Sequence, residues 1–211
     1  MSSSSLAAGA GAAEAGGRLL PIWLVKEYYW CPVSAYLRLV GWAERPTASM
    51  LLGSESVPRG RIVELLEERH RLRELLWEHP VASRRLGLQG RADLVALTVD
   101  GGLVVVEAKL PRLSRRRLWG RDRRLAVQLA AYAVAAEETL GAPLEAAYLY
   151  SVEGDRLVEV RVSPRLRRLV EHAARELHGM LERGEPPGRA NVPRWRCRLC
   201  SYRGVCPHGR G

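Results

Sequence analysis

Lysine is almost missing from this basic chain: of 33 Lys and Arg residues in 211, only Lys26 and Lys109 are lysine. Asp is confined to positions 93, 100, 122 and 155 among 23 acids, and Gln to 89 and 128. A Lys, an Asp or a Gln in a chemically suggestive place therefore carries more information here than in an average chain. The scarcity of Asn, Gln and Met suits a heat-stable protein, and a GC-rich genome produces the same bias. No apolar run approaches the roughly 18 residues of a membrane span, which speaks against a membrane protein. Residues 1–17 are mostly Ser, Ala and Gly, with Glu14 as their one charged side chain. They lack the basic start and apolar centre of a secretory signal, so they read as a disordered tail on a cytoplasmic protein.

What is present is a globular composition, 47% hydrophobic, with a net charge of +10. The charge points to a polyanionic partner, nucleic acid before membrane surface, although a solvated basic surface gives the same count. The length suits one domain with an appended module.

A first helix is expected over Ile22–Leu39, kinked or split at Cys31-Pro32. Residues 43–60 read as a loop, and Arg61–Trp77 as a helix with Ile62, Leu65, Leu66, Leu72 and Leu76 in one apolar stripe. Arg91–Val99 and Leu103–Leu110 read as strands joined by Asp100-Gly101-Gly102. An Ala-rich helix follows over Leu125–Leu140, stopped by Gly141. Strands are expected at Ala146–Tyr150 and Arg156–Val162. Ser163-Pro164 then opens a long helix that fades near Gly184. The order describes an α/β sheet flanked by helices over residues 18–185, with a cysteine-bearing tail over 186–211.

The strand period of two divides Val104–Leu110 cleanly. Val104, Val106, Ala108 and Leu110 face one way, and Glu107 and Lys109 share the other face. A three-residue hairpin loop pairs Val99 with Leu103 and Asp93 with Lys109, so that Asp93 joins the same face. A two-residue loop sends Asp93 to the opposite face unless a bulge intervenes. Two carboxylates and a lysine on one face suit metal-assisted phosphodiester hydrolysis, because hard oxygen ligands bind Mg²⁺ or Mn²⁺ and leave positions for water and phosphate. An ordinary solvated Glu–Lys pair is the plainer alternative. Gln128 and Tyr132, four apart, stack on one face of the next helix, where they can orient ligands or hold phosphate.

Between strand and helix, residues 112–124 carry seven Arg, Trp119 and one acid. Arg115, Arg116, Arg117, Arg121 and Arg124 can grip phosphates, and Trp119 offers a base a stacking surface. The cysteines run Cys31, then Cys197-x2-Cys200-x5-Cys206. A clustered C-x2-C in an intracellular chain binds metal more readily than it forms disulfides. The lopsided spacing fits an iron–sulfur cluster closing the end of the chain on its beginning better than a zinc ribbon with two close pairs.

The ordered set Tyr28-Tyr29-Trp30-Cys31-Pro32, Gly90-Arg91-Ala92-Asp93, Glu107-Ala108-Lys109, Gln128-x3-Tyr132 and the C-terminal cysteines resembles the CRISPR-associated Cas-four exonuclease family. That family is related to the RecB nuclease domain. The resemblance implies a PD-(D/E)xK, restriction-endonuclease-like fold and a cluster on all four cysteines, usually 4Fe-4S, with 2Fe-2S left open. It implies Mg²⁺- or Mn²⁺-dependent cleavage from single-stranded DNA ends, processing prespacers for the CRISPR integrase. It also implies metal ligation by Asp93, Glu107 and the Ala108 carbonyl, with Lys109 in catalysis. The family's usual His four residues after a Gly is replaced at that distance from Gly60 by Glu64, which reads either as the ligand in its place or as a surface glutamate on a charged helix. His70 is the alternative. A non-catalytic cluster-bearing DNA-binding subunit, a repair nuclease and a zinc-ribbon nucleic-acid-binding protein remain the competing readings.

Overall fold

The computed structural model describes residues 18–41, 57–120, 122–188 and 192–208; the N-terminal tail, most of the expected 43–60 loop and Arg121 lie outside them. In chain order the elements are β1 (Leu20–Pro21), α1 (Trp23–Trp30), α2 (Pro32–Leu39), α3 (Arg59–Glu67), β2 (Leu72–Ser83), β3 (Leu88–Thr98) and β4 (Leu103–Lys109). Then come α4 (Arg115–Trp119), α5 (Arg123–Leu140), β5 (Leu144–Ser151), β6 (Arg156–Glu159), α6 (Pro164–Arg183) and α7 (Arg194–Arg198).

The strands form one mixed sheet. β3 pairs with β2 along one edge; along the other it meets β1 at its start and β4 at its end. β5 lies parallel to β4 and antiparallel to β6. Helix α5 is the crossover between the parallel pair, and every residue from Leu125 to Ala136 is buried. A helix buried all round needs small residues to pack on both sides, which its Ala-rich sequence provides. It lies between the sheet face of Val95, Leu103, Val105 and Leu149 and helices α1 and α6. The other face (Leu94, Ala96, Val104, Val106) packs on Ile62, Leu65 and Leu66 of α3. A third, smaller core joins α2 and α6 to the C-terminal tail through Tyr36, Leu37, Met180 and Tyr202.

Several boundaries follow from the chemistry read in the sequence. Cys31 is extended (φ −162°) and separates α1 from α2, with Pro32 opening the latter. The Ser163 side chain accepts a hydrogen bond from the Leu166 N–H at the start of α6. Gly141 ends α5 in the left-handed region, φ +64°, where L side chains are strained.

The helix anticipated over Arg61–Trp77 stops at Glu67, and Leu72 onward is a twelve-residue strand, β2. Leu72, Leu75, Leu76 and Trp77 fit both periods over so short a run, so the long antiparallel pairing with β3 decides. Pro80 excludes helix at this point, and β2 tolerates it because the strand is at the sheet edge.

Candidate active site

The site grows from a gap in the β3 ladder. β1 pairs only with Leu88 and Gln89, and β4 only with Leu94 to Leu97, so Gly90–Asp93 lack a strand partner on that edge. The hairpin register is Leu97 opposite Leu103, two residues off the expected pairing of Val99 with Leu103. A slip of two preserves the face, and the continued register sets Asp93 across from Glu107 instead of Lys109. Where the ladder stops, the Asp93 carboxylate replaces it: Oδ2 accepts the Ala108 backbone N–H at 2.7 Å.

Glu107 is 5% exposed. Its Oε1 accepts from Lys109 Nζ at 2.5 Å and from Gln128 Nε2 at 3.3 Å, while Oε2 is buried without a hydrogen-bond partner among the described residues. Burial is the main force raising the pKa of both Asp93 and Glu107; Lys109 opposes it in each, and their mutual repulsion adds to the rise at Glu107. A buried carboxylate with an orphaned oxygen and a partly buried one beside it, both ionising reluctantly, are a donor set that a divalent cation satisfies. Tyr132 is also buried, and burial together with Glu107 and Asp93 holds its phenol protonated. Gly90 makes room for that ring: a Cβ there would stand 2.9 Å from Tyr132 Cε1.

The PD-(D/E)XK nuclease superfamily model matches residues 26–207. The CRISPR-associated exonuclease Cas4 of Aeropyrum pernix is 38% identical over 189 residues, which span 88% of this chain and 94% of that protein. The CRISPR-associated exonuclease Cas4 of Thermoproteus tenax is 28% identical over 192 residues, 88% and 92% of the two chains. The chain belongs to the Cas4 family of PD-(D/E)XK nucleases.

In this Cas4 family member the structure brings Asp93, Glu107, Ala108, Lys109, Gln128 and Tyr132 together. It does not bring Glu64 to them. Helix α3 packs on the opposite face of the sheet, and the Glu64 carboxylate, 65% exposed, pairs with Arg61 at 3.1 Å. His70 is equally remote in role: Nδ1 contacts Glu145 at 2.6 Å and Nε2 the Tyr148 hydroxyl at 2.9 Å, so both ring nitrogens are engaged in joining the start of β2 to β5.

Two residues that the sequence reading passed over border the site. Glu78 of β2 lies across from Asp93, between the pairs Trp77–Leu94 and His79–Ala92, with φ +49°. Its carboxylate pairs with Arg59 at 2.6 Å, and its charge adds to the rise at Asp93. The strained backbone gave no sequence signal. Lys26 of α1 is the other. Its signal was available, because it is the second of only two lysines.

The arginine segment does not form a single face. Leu113 and Leu118 are buried, Arg117 is held by Asp122 at 2.8 Å and Arg115 by Glu159 at 3.2 Å. Arg116 and Trp119 stand exposed on α4, while Arg124 lies 5.0 Å from the Trp30 ring.

Trp30 leads to the cysteines. Cys31, Cys197, Cys200 and Cys206 line one largely apolar recess. Arg196 seals its wall by donating to the Trp30 carbonyl at 2.7 Å and the Tyr29 carbonyl at 3.2 Å, the open end of α1. Burial raises the Cys31 thiol, and N–H groups of Ser34 and Val33 at the start of α2 counter it. Four soft thiols in an apolar surround fit a thiolate-ligated metal group. Among the described residues, no three His, Cys, Asp or Glu side chains form a ready-made single-ion cage.

Proposed function

We propose that this chain is a Mg²⁺- or Mn²⁺-dependent DNA exonuclease that acts on single-stranded ends and processes prespacers during CRISPR adaptation. The observation that carries the proposal is the buried Glu107, one carboxylate oxygen orphaned, between Lys109 and Gln128 and beside Asp93. Asp93, Glu107 and the Ala108 carbonyl would hold the metal. A divalent ion held there would supply polarisation of the phosphate and a lowered pKa for the attacking water. Lys109 orients that water and stabilises charge developing on the phosphate. Gln128 fixes the Glu107 carboxylate, and the protonated Tyr132 phenol offers a further hydrogen-bond donor. Arg115, Arg116, Arg117, Arg124 and Trp119 guide the strand toward the site, and the basic chain attracts it.

The cysteine recess is assigned an iron–sulfur cluster, 4Fe-4S by family resemblance, held by Cys31, Cys197, Cys200 and Cys206. Its role is structural: it joins the tail to the end of α1. Anaerobic protein should show broad visible absorption with iron and acid-labile sulfide. Zinc without either would support the zinc-ribbon alternative instead.

The decisive assay is Mn²⁺-dependent release of nucleotides from end-labelled single-stranded DNA. Glu107→Gln and Lys109→Ala should each lose about a hundredfold or more in rate, the scale of removing a preorganised catalytic group. Full activity in either variant overturns the site. Tight binding without hydrolysis in the wild-type protein overturns the enzyme assignment in favour of a DNA-binding subunit. Trimming of overhangs that is indifferent to the integrase argues for a repair nuclease.

A further inference from the structure

Helices α1 and α5 pack side by side and run in opposite directions. Ile22, just before α1, meets Tyr132 over Gly90, since a Cβ at Gly90 would stand 3.3 Å from Ile22 Cβ and 2.9 Å from Tyr132 Cε1. Two turns further along α1, the Trp30 ring meets the Arg124 guanidinium at 5.0 Å. Residues four apart share a helix face, so Ile22, Lys26 and Trp30 form one row and Tyr132, Gln128 and Arg124 the facing row. Lys26 is the middle member and faces Gln128, whose amide donates to Glu107.

We infer that Lys26 is a phosphate-binding residue of the nuclease site, approaching the substrate from α1. This rests on the nuclease reading given above. Among the described residues, the carboxylate partner of Lys26 is Glu27 at 3.8 Å, a distance that leaves its ammonium hydrogens able to take an incoming anion, whereas Lys109 is committed to Glu107 at 2.5 Å. Burial, then the Lys109 charge, lowers the Lys26 pKa to about 8, with Glu107 and Arg124 also acting on it. Its electrostatic neighbours therefore include Lys109 and Glu107 of the site. A compact ammonium on a flexible stem fits between two packed helices where a planar guanidinium demands more room. That is a physical reason for lysine in a chain that otherwise uses arginine.

The test uses full-length protein and a fluorescent single-stranded oligonucleotide. Binding is measured without added divalent ion across a range of salt, and KM and kcat with Mn²⁺. Lys26→Met keeps the apolar stem and removes the charge. It should weaken DNA binding about tenfold, the effect of one charge-assisted hydrogen bond. It should also make the log–log salt slope shallower by about 0.7, the value for one phosphate contact on a single strand. Lys26→Arg, which keeps the charge but needs more room between the helices, should recover only part of the lost affinity. Unchanged affinity and slope in Lys26→Met overturn the inference, because a packing role would survive in Met. If cleavage also persists in Lys109→Ala, the nuclease site falls with it; if only Lys26→Met is silent, the site stands without Lys26. Should Lys26→Met fail to match the wild-type circular dichroism, Lys26→Gln carries the same comparison.

Discussion

The Tyr132 ring occupies the space that a side chain at Gly90 would need, with Cε1 2.9 Å from a Cβ built there. Gly90 is paired with β2 but lies in the stretch of β3 that lacks a described partner on the β4 edge and ends at Asp93, so crowding there is transmitted directly to the backbone of Asp93. Gly90→Ala should therefore destabilise the protein by about 1–3 kcal/mol, the usual cost of overpacking a closed site. It should lower nuclease activity as well. Urea unfolding and the oligonucleotide assay measure both, and adding Tyr132→Leu should restore much of the stability. A Gly90→Ala protein as stable as wild type would show that the contact relaxes freely.

Glu78 holds φ at +49° inside a strand, directly across from Asp93. A left-handed backbone costs an ordinary L-residue about 1–2 kcal/mol and is worse for a β-branched one. Stability should therefore rank Gly at or above the native Glu, and Val clearly below both. The exposed pair with Arg59 contributes little enough that its loss does not reverse the order. Midpoints of urea unfolding for Glu78→Gly and Glu78→Val decide it; a stabilised Val variant would contradict the strain.

Burial raises Glu107 and Asp93 above ordinary carboxylate pKa values. The folded metal-free protein consequently binds these protons more tightly than the unfolded chain. By linkage, the two groups favour folding below the unfolded carboxylate pKa and lose that contribution as pH rises through their folded values. Other carboxylates with depressed pKa act in the opposite sense, so the informative quantity is the difference between wild type and Glu107→Gln. Without metal, Glu107→Gln should gain relative stability as pH rises from 4 to 8, and added Mn²⁺ should stabilise only the wild type. A pH-independent difference would refute the assignment.

Glu64 is the place where the family pattern and the geometry part. Because its carboxylate sits with Arg61 across the sheet, Glu64→Gln should keep Mn²⁺-dependent activity within about twofold of wild type, the range expected for an exposed surface change. A hundredfold loss would return Glu64 to the metal site.

How much of this was legible in the residues differs by element. Glu107 and Lys109 share a face by strand period alone, and nothing in the tertiary structure could separate them. Asp93 reached the right face through a register two residues from the one expected; an odd slip would have placed it on the α3 side. Strand β2 was not legible because Leu72–Trp77 satisfies both helical and extended spacing, and its long pairing with β3 is a non-local fact. Glu78 follows from β2 and was lost with it. Lys26 belongs to a different class. Its rarity was visible, but its relation to Gln128 depends on how α1 lies on α5, which no single stretch of sequence encodes.

The two carbonyls that Arg196 covers belong to residues 166 and 167 positions earlier in the chain. During synthesis, Trp30 and Cys31 leave the ribosome long before the partner that seals them. At the usual rates of about 5–20 residues per second, the end of α1 stands open for on the order of ten seconds. Through that interval the first cysteine is a solitary thiol, exposed to oxidation. Closure of the cysteine recess thus falls among the last events of folding, after the strands of the sheet have been made.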